Sequence, residues 1–219
     1  MESRICVYGN PSAFLWLVRE EIEVKVELLS ITPNSEELIE KGARVCYDSP
    51  EKPETRKQFI QNLIKRGHLG VVEHGVATFR IEGVSRACSH QMVRSRLVSW
   101  NQRSQRYVKE SGFKYVIPPS IAQDKEKKQR YKDTMARLRN EYALMIKDGI
   151  PPEDARFVLP NACETELIMT ANFREFRHFL QQRLDKHAQW EIRELAKQIL
   201  KILVEQAPSV FCDILSCSV

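Results

Sequence analysis

At 219 residues with a formal net charge of +5, the chain is sized for one medium domain whose core needs neither disulfides nor a metal. Hydrophobic residues make up 42% and charged residues 29%, a balance that excludes a disordered or bilayer-embedded chain. The mild basicity favours anionic partners and admits nucleic acid, nucleotides and folates alike. Six cysteines (Cys6, Cys46, Cys88, Cys163, Cys212, Cys217) form no CxxC pair and read as reduced thiols of a cytoplasmic protein. "AFLWLV" at 13–18 is too short to span a bilayer, so neither secretion nor a membrane partner is expected.

In chain order, "RICVYG" (4–9) and "EVKVELLS" (23–30) alternate as strands do. "PNSEELIEKGARVCYD" (33–48) predicts a helix capped by Asn34 or Ser35, with acids in its first turn. "PETRKQFIQNLIKRG" (53–67) predicts a second, with Pro53 near its start and Gly67 just past its end. "HGVATFRIEG" (74–83) is a strand with Val76, Thr78 and Arg80 opposing Ala77, Phe79 and Ile81. Residues 85–94 read as a helix leading into an arginine-rich segment. The longest helix is expected over about 122–148, closed by Gly149 and two prolines, and a short one over "PPEDARFVLP" (151–160). Helices at about 173–185 and 188–207 follow. The last carries an apolar stripe at Trp190, Ile192, Leu195, Ile199, Ile202 and Leu203 and stops before Pro208. With no repeat, low-complexity tract or linker, 1–219 reads as a single α+β domain.

Charge is distributed unevenly. Between Gly83 and Lys109 there are six Lys and Arg residues and no Asp or Glu. Within that gap "RSRLVSWNQRSQRY" (94–107) interleaves arginine with Ser, Asn, Gln and Trp. Guanidinium groups form bidentate contacts with phosphate and stack on rings, so the segment reads as a site wall for an anionic, aromatic ligand. A basic nucleotide- or RNA-binding surface without catalysis is the alternative. Against it, the lysines cluster elsewhere, in "DKEKKQRYK" (124–132), among alternating acids that mark a solvated helix face. A second polar cluster lies downstream: Arg156 within an apolar segment, Asn172 and Arg174 around Phe173, then Arg183, His187 and Gln189. Arg174, His178 and Gln181 or Gln182 fall near one helical face.

"QMVRSRLVSWNQRSQRY" resembles the signature of the flavin-dependent thymidylate synthases, Arg-His-Arg, seven residues, then Ser, with Arg94, Arg96 and Ser104 at that spacing. "GARVCYD", "VVEHGVATF", "ARFVLP", "NFREFRHFLQQR" and "HAQWEIR" resemble the family's other blocks, in its order, from about residue 43 to 193. The resemblance implies an α+β fold with an antiparallel or mixed sheet packed with long helices. It further implies a homotetramer with active sites assembled from several subunits. FAD is the implied cofactor, with NADPH and methylenetetrahydrofolate as co-substrates, and the implied reaction is reductive methylation of dUMP to dTMP. Neither nucleic acid nor a membrane is an implied partner. The positions matching the family's dUMP contacts are Gln91, Arg94, Gln102, Arg103, Ser104, Gln105, Arg106, Arg156 and Arg183. Those matching its flavin contacts are Cys46, His74, Arg94, Ser95, Arg96, Gln102, Asn172, Arg174, His178 and His187. By the same resemblance, Arg183 favours ionisation of the pyrimidine ring NH.

The residue chemistry agrees with this assignment. Ser104, Arg106 and backbone N–H groups suit a dianionic phosphate, and Arg156 and Arg183 suit a uracil edge on which negative charge builds. Ser104 reads as a substrate ligand rather than a nucleophile, because no base stands beside it in a triad pattern. Cys163 reads as a core residue rather than a nucleophile. The five histidines (His68, His74, His90, His178, His187) show neither HExxH nor a spacing paired with cysteine, so no metal is expected. The chain departs from the family pattern at Ser95, where the motif has His, and this exchange removes a titratable ring. Gln102 stands where some relatives have an acid, His178 where others have Asn, and Cys46 where Ser is common. Activity is expected to survive, because the charged members of the motif are intact.

Overall fold

The computed structural model describes residues 23–216; the strand expected over 4–9, with Cys6 and Cys217, lies outside the described residues. Four strands, β1 (Lys25–Ile31), β2 (Val76–Ser85), β3 (Ser99–Gln102) and β4 (Glu164–Asn172), form one sheet in the order β1-β2-β4-β3. Every pairing is antiparallel. β2 alternates as its sequence predicts: Ala77, Phe79 and Ile81 are buried, and Val76, Thr78 and Arg80 are not. Opposite it on β4, Thr165, Leu167, Met169 and Ala171 are buried, so the two long central strands share one apolar face. The other face is polar, with Thr78 and Thr170 hydroxyls 3.0 Å apart and Arg80 bonded to Glu166 at 2.7 Å. Register slips between Ile81 and Val84, and Gly83 takes a φ of 76° there. That is the left-handed geometry a bulge requires of a residue without Cβ.

The helices are α1 (Ser35–Val45), α2 (Arg56–Lys65), α3 (Arg86–Met92), α4 (Pro119–Ala122), α5 (Lys125–Lys147), α6 (Pro152–Ala155), α7 (Phe173–Arg183), α8 (Trp190–Gln206) and α9 (Pro208–Ser216). The expected helices are present with shifted ends. The longest splits at its start into α4 and α5, because Asp124 caps α5 afresh by accepting from the N–H groups of Glu126 and Lys127. Asn34 sits at the cap position of α1 but in a left-handed conformation without a side-chain cap bond. The 151–160 helix is one α turn followed by a 3₁₀ turn over Arg156–Val158. β3, β4 and α9 have no counterpart in the elements expected from sequence.

α7 and α8 cover the apolar face. Phe79 meets Phe176 edge-on with centroids 5.4 Å apart, and Phe173 meets Phe211 of α9 at 5.2 Å. Ile192, Leu195, Ile199 and Leu203 of the α8 stripe are fully buried. Burying an aromatic or aliphatic side chain of this kind contributes roughly 1.5–3 kcal/mol each, so this layer fixes the frame on which the site stands. A second, smaller core gathers Phe113, Met135 and Cys163 beneath α5. Glu40 is buried in α1 and joins three elements: it accepts from Lys52 N–H at 2.9 Å, from Arg56 at 2.8 Å and from Arg44 at 3.2 Å. Burial pushes its carboxyl up, but these donors outweigh burial and hold it below the usual range.

Candidate functional site

The site is built outward from α3. Ser85 caps the helix, its Oγ accepting from Cys88 N–H at 3.0 Å. Ser85 is itself fixed by Glu191 of α8: its N–H and its hydroxyl each donate to one carboxylate oxygen at 2.6 Å. Burial pushes the Glu191 carboxyl up, opposed by these two bonds. At the far end of α3 the carbonyl of Gln91 accepts from Arg183 Nη2 at 3.0 Å. Arg183 Nε is buried without a hydrogen-bond partner among the described residues. One helix thus ties the HAQWEIR block to the arginine that closes α7.

The motif follows in a turn. Ser95 is buried; its N–H donates to Met92 O at 3.1 Å and its carbonyl accepts from Trp100 Nε1 at 3.2 Å. Arg94 and Arg96 flank it, both exposed and without a hydrogen bond or ion pair among the described residues. In β3, Trp100 and Gln102 face the helix layer. Gln102 Nε2 donates to Ser89 Oγ at 2.9 Å and Thr165 Oγ1 at 3.1 Å, which joins the strand to α3 and β4.

Beyond β3 the chain turns back on itself. Ser104 Oγ accepts from Arg106 N–H at 3.2 Å. Arg106 Nε and Nη2 both reach Glu153 Oε2 at 3.2 Å, and Arg156 Nε donates to the Glu153 carbonyl at 3.1 Å. Gln105 and Arg156 line a cavity of about 260 Å³ with Arg86, His90, Phe157 and Asn161. Burial first, and then the nearby Arg156 charge, push the Arg86 guanidinium below its ordinary value. Phe157 is 83% exposed over this cavity. Arg103 departs from the group. Its Nε pairs with the buried Glu110 at 3.2 Å, and it lines a separate cavity of about 360 Å³ with Glu164 and Glu166. Sequence reasoning did not single out Arg86, His90 or Glu153. Arg86 and His90 lie one helical turn apart inside the acid-free gap, and that spacing is the signal that finds them.

Most of the remaining expected residues lie toward the other end of the sheet, and His187 does not: it follows the far end of α7, four residues before the Glu191 that bonds Ser85. His74 closes a 3₁₀ turn over Leu69–His74, with its ring against Gly42 of α1, where a Cβ would lie 2.9 Å from His74 Cδ2. Asn172 caps α7 by accepting from Glu175 N–H at 2.9 Å, and Arg174 pairs with Glu73 at 2.7 Å. His178 and Gln182 are joined at 2.9 Å on the same exposed helix face. Cys46 is exposed at the end of α1, and His187 is exposed just past α7, its N–H on Asp185 at 2.8 Å. Arg103 N–H bonds Glu166 O, whereas Val76 pairs with Asn172. Six residues of β4 separate these levels, ~20 Å at about 3.4 Å per residue. One chain therefore holds its phosphate-type cations and its His74–Arg174 group at opposite ends of the sheet.

Cys163 is buried with its thiol pushed up to about 12, mainly by burial, which leaves it a poor nucleophile. Among the described residues, no group of three or more His, Cys, Asp or Glu side chains is placed to hold a metal ion. No helix among them is long and apolar enough to cross a membrane.

The sequence profile described as "Thymidylate synthase complementing protein" matches residues 27–209. A flavin-dependent thymidylate synthase of Geobacter sulfurreducens is 42% identical over 200 residues, covering 87% of this chain and 86% of that protein. One from Clostridium tetani is 38% identical, covering 86% and 85%, and one from Pyrococcus furiosus is 38% identical, covering 84% and 80%. The matched span holds the α3 helix, the arginine motif on β3 and the Arg183 contact alike, and the chain belongs to the flavin-dependent thymidylate synthase family.

Proposed function

We propose that this protein, acting as one 1–219 domain in the cytoplasm, converts dUMP to dTMP by reductive methylation. The observation that supports the reading is the Arg183–Gln91 contact, which ties the arginine that closes α7 to the end of α3, the helix that leads into the arginine motif. The nucleotide phosphate lies at Ser104 and Arg106, with Gln105 beside it, while Gln91, Arg156 and Arg183 address the uracil. Arg183 holds its positive charge fixed where negative charge builds on the ring, without reorganising as it forms. Gln102 positions the strand through Ser89 and Thr165, and Arg103 holds the following loop through Glu110.

Arg174 and His178 at the other end of the sheet, with the cap residue Asn172, His187 beyond the far end of α7 and Arg94 and Arg96 of the motif, fit the diphosphate and ring edge of FAD. When bound, FAD reduced by NADPH supplies the hydride, and methylenetetrahydrofolate supplies the carbon. The ~20 Å between the two groups supports a homotetramer in which one subunit's His74–Arg174 end meets another's phosphate end. Purified protein supplied with dUMP, methylenetetrahydrofolate, NADPH and FAD is expected to form dTMP, resolved by chromatography. No dTMP, together with binding of long RNA that weakens steeply with salt, would replace this reading with a nucleic-acid one.

A further inference from the structure

We propose that Glu153 is a stand-in anion: its carboxylate occupies Arg106 until the phosphate of the nucleotide arrives, and competes with that phosphate for the guanidinium. The inference rests on the proposed function, in which Arg106 meets a phosphate. Glu153 engages both arginines by different atoms. Its side-chain Oε2 takes Arg106 Nε and Nη2, and its main-chain carbonyl takes Arg156 Nε. The backbone contact orients Arg156 whatever the side chain is, so the carboxylate acts on Arg106 alone.

The energetic sign follows from exposure. The side chains of Arg106 and Glu153 are 52% and 50% exposed, and a pair this open contributes at most about 5-fold to an equilibrium. Losing it therefore costs the loop little, since the Arg106 main-chain N–H stays on Ser104, and it leaves the guanidinium free to meet an anion. A phosphate dianion placed on Arg106 lies close to the Glu153 carboxylate. One charge against two at near-contact distance, screened by solvent, weakens binding by about 20-fold. Repulsion exceeds the orienting gain, so the native carboxylate weakens nucleotide binding. It also keeps Arg106 from holding other anions when no nucleotide is present.

The test compares the full-length wild type with Glu153→Gln and Glu153→Asp, measuring the dissociation constants of dUMP and 2′-deoxyuridine by calorimetry at two salt concentrations. Glu153→Gln is expected to tighten dUMP about 5- to 20-fold and to leave deoxyuridine, which has no phosphate, unchanged. Glu153→Asp is expected to stay near wild type. Unaltered or weaker dUMP binding by Glu153→Gln, with the circular-dichroism melt unchanged, overturns the inference, as does equal tightening of deoxyuridine. A wild type that binds neither ligand defeats the proposed function as well, so the two failures read differently.

Discussion

Arg183 Nη2 donates to the main-chain carbonyl of Gln91, 92 residues earlier, at 3.0 Å. The bond fixes the guanidinium by its tip and leaves Nε buried without a partner. Lysine at this position cannot satisfy the carbonyl and a ligand in the same plane. Arg183→Lys is expected to lower kcat/KM for dUMP by about 100-fold or more, near 3 kcal/mol, while the dissociation constant of dUMP changes less. Steady-state kinetics and calorimetry on the same preparations separate the two effects; equal losses in both would mean that Arg183 only binds.

Gly42 and Gly75 give opposite expectations. A Cβ at Gly42 meets only the exposed His74 ring at 2.9 Å, which can swing aside, and alanine gains about 1 kcal/mol in a helix interior. Gly42→Ala is therefore expected to melt at or above the wild-type temperature while binding FAD more weakly, as read by flavin fluorescence. A Cβ at Gly75 lies 2.3 Å from Phe173 Cδ2, in a ring that is fully buried against Phe211. Gly75→Ala is expected to cost about 1–3 kcal/mol of stability in denaturant unfolding. A Gly42→Ala protein with unaltered flavin affinity would remove His74 from the flavin contacts.

Glu191 predicts a pH dependence. Burial raises its folded-state carboxyl above the ordinary value of 4.5, so the folded state binds more protons than the unfolded chain just above that pH. The contribution is fully present below the unfolded value and is lost as pH rises through the folded one. Relative to Glu191→Gln, the wild type is expected to be more stable at pH 4.5 than at pH 8, by calorimetric melting at both. Burial also raises Glu110, but that group is common to both proteins and drops out of the difference. A wild-type advantage that grows with pH would mean the carboxylate is charged and satisfied when folded.

Ser95 holds the motif turn through its main chain, by the Met92 and Trp100 bonds. The serine hydroxyl is not what shapes the turn. Wild-type protein is expected to bind FAD and turn over, and Ser95→Ala is expected to lower FAD affinity by less than tenfold. A wild type that fails to bind FAD, with affinity gained by orders of magnitude in Ser95→His, would show that the motif imidazole is indispensable.

β2 was legible in the sequence because one of its faces is packed, so Ala77, Phe79 and Ile81 alternate cleanly with polar neighbours. β4 was not, because Ile168 points to the polar face and Thr165 to the apolar one, which blurs the period of two. β3 is four residues long and turns Trp100 and Gln102 inward, so its period vanishes inside the arginine motif. Pro208 reads as a stop after α8, and it is one, but it is also the first residue of α9, where its fixed φ suits a helix start. The site was legible as a gap in acids. What the gap could not reveal is that Glu110 and Glu153, outside it in sequence, return to meet Arg103 and Arg106. Such pairings depend on how the loop after β3 folds back, and no local pattern encodes that.

The two ends of α3 are fastened to different helices, Ser85 to α8 and Gln91 to Arg183 of α7, and both helices belong to the main core. Opening that corner means parting α3 from both helices, so its amides are expected to exchange slowly. Residues 104–108 are held by the bonds of Ser104, Arg106 and Val108 alone among those described, and their amides are expected to exchange faster. On the proposed placement the uracil stands against the doubly fastened corner and the phosphate against the loop, so hydrogen exchange is expected to separate a slow half of the pocket from a fast one.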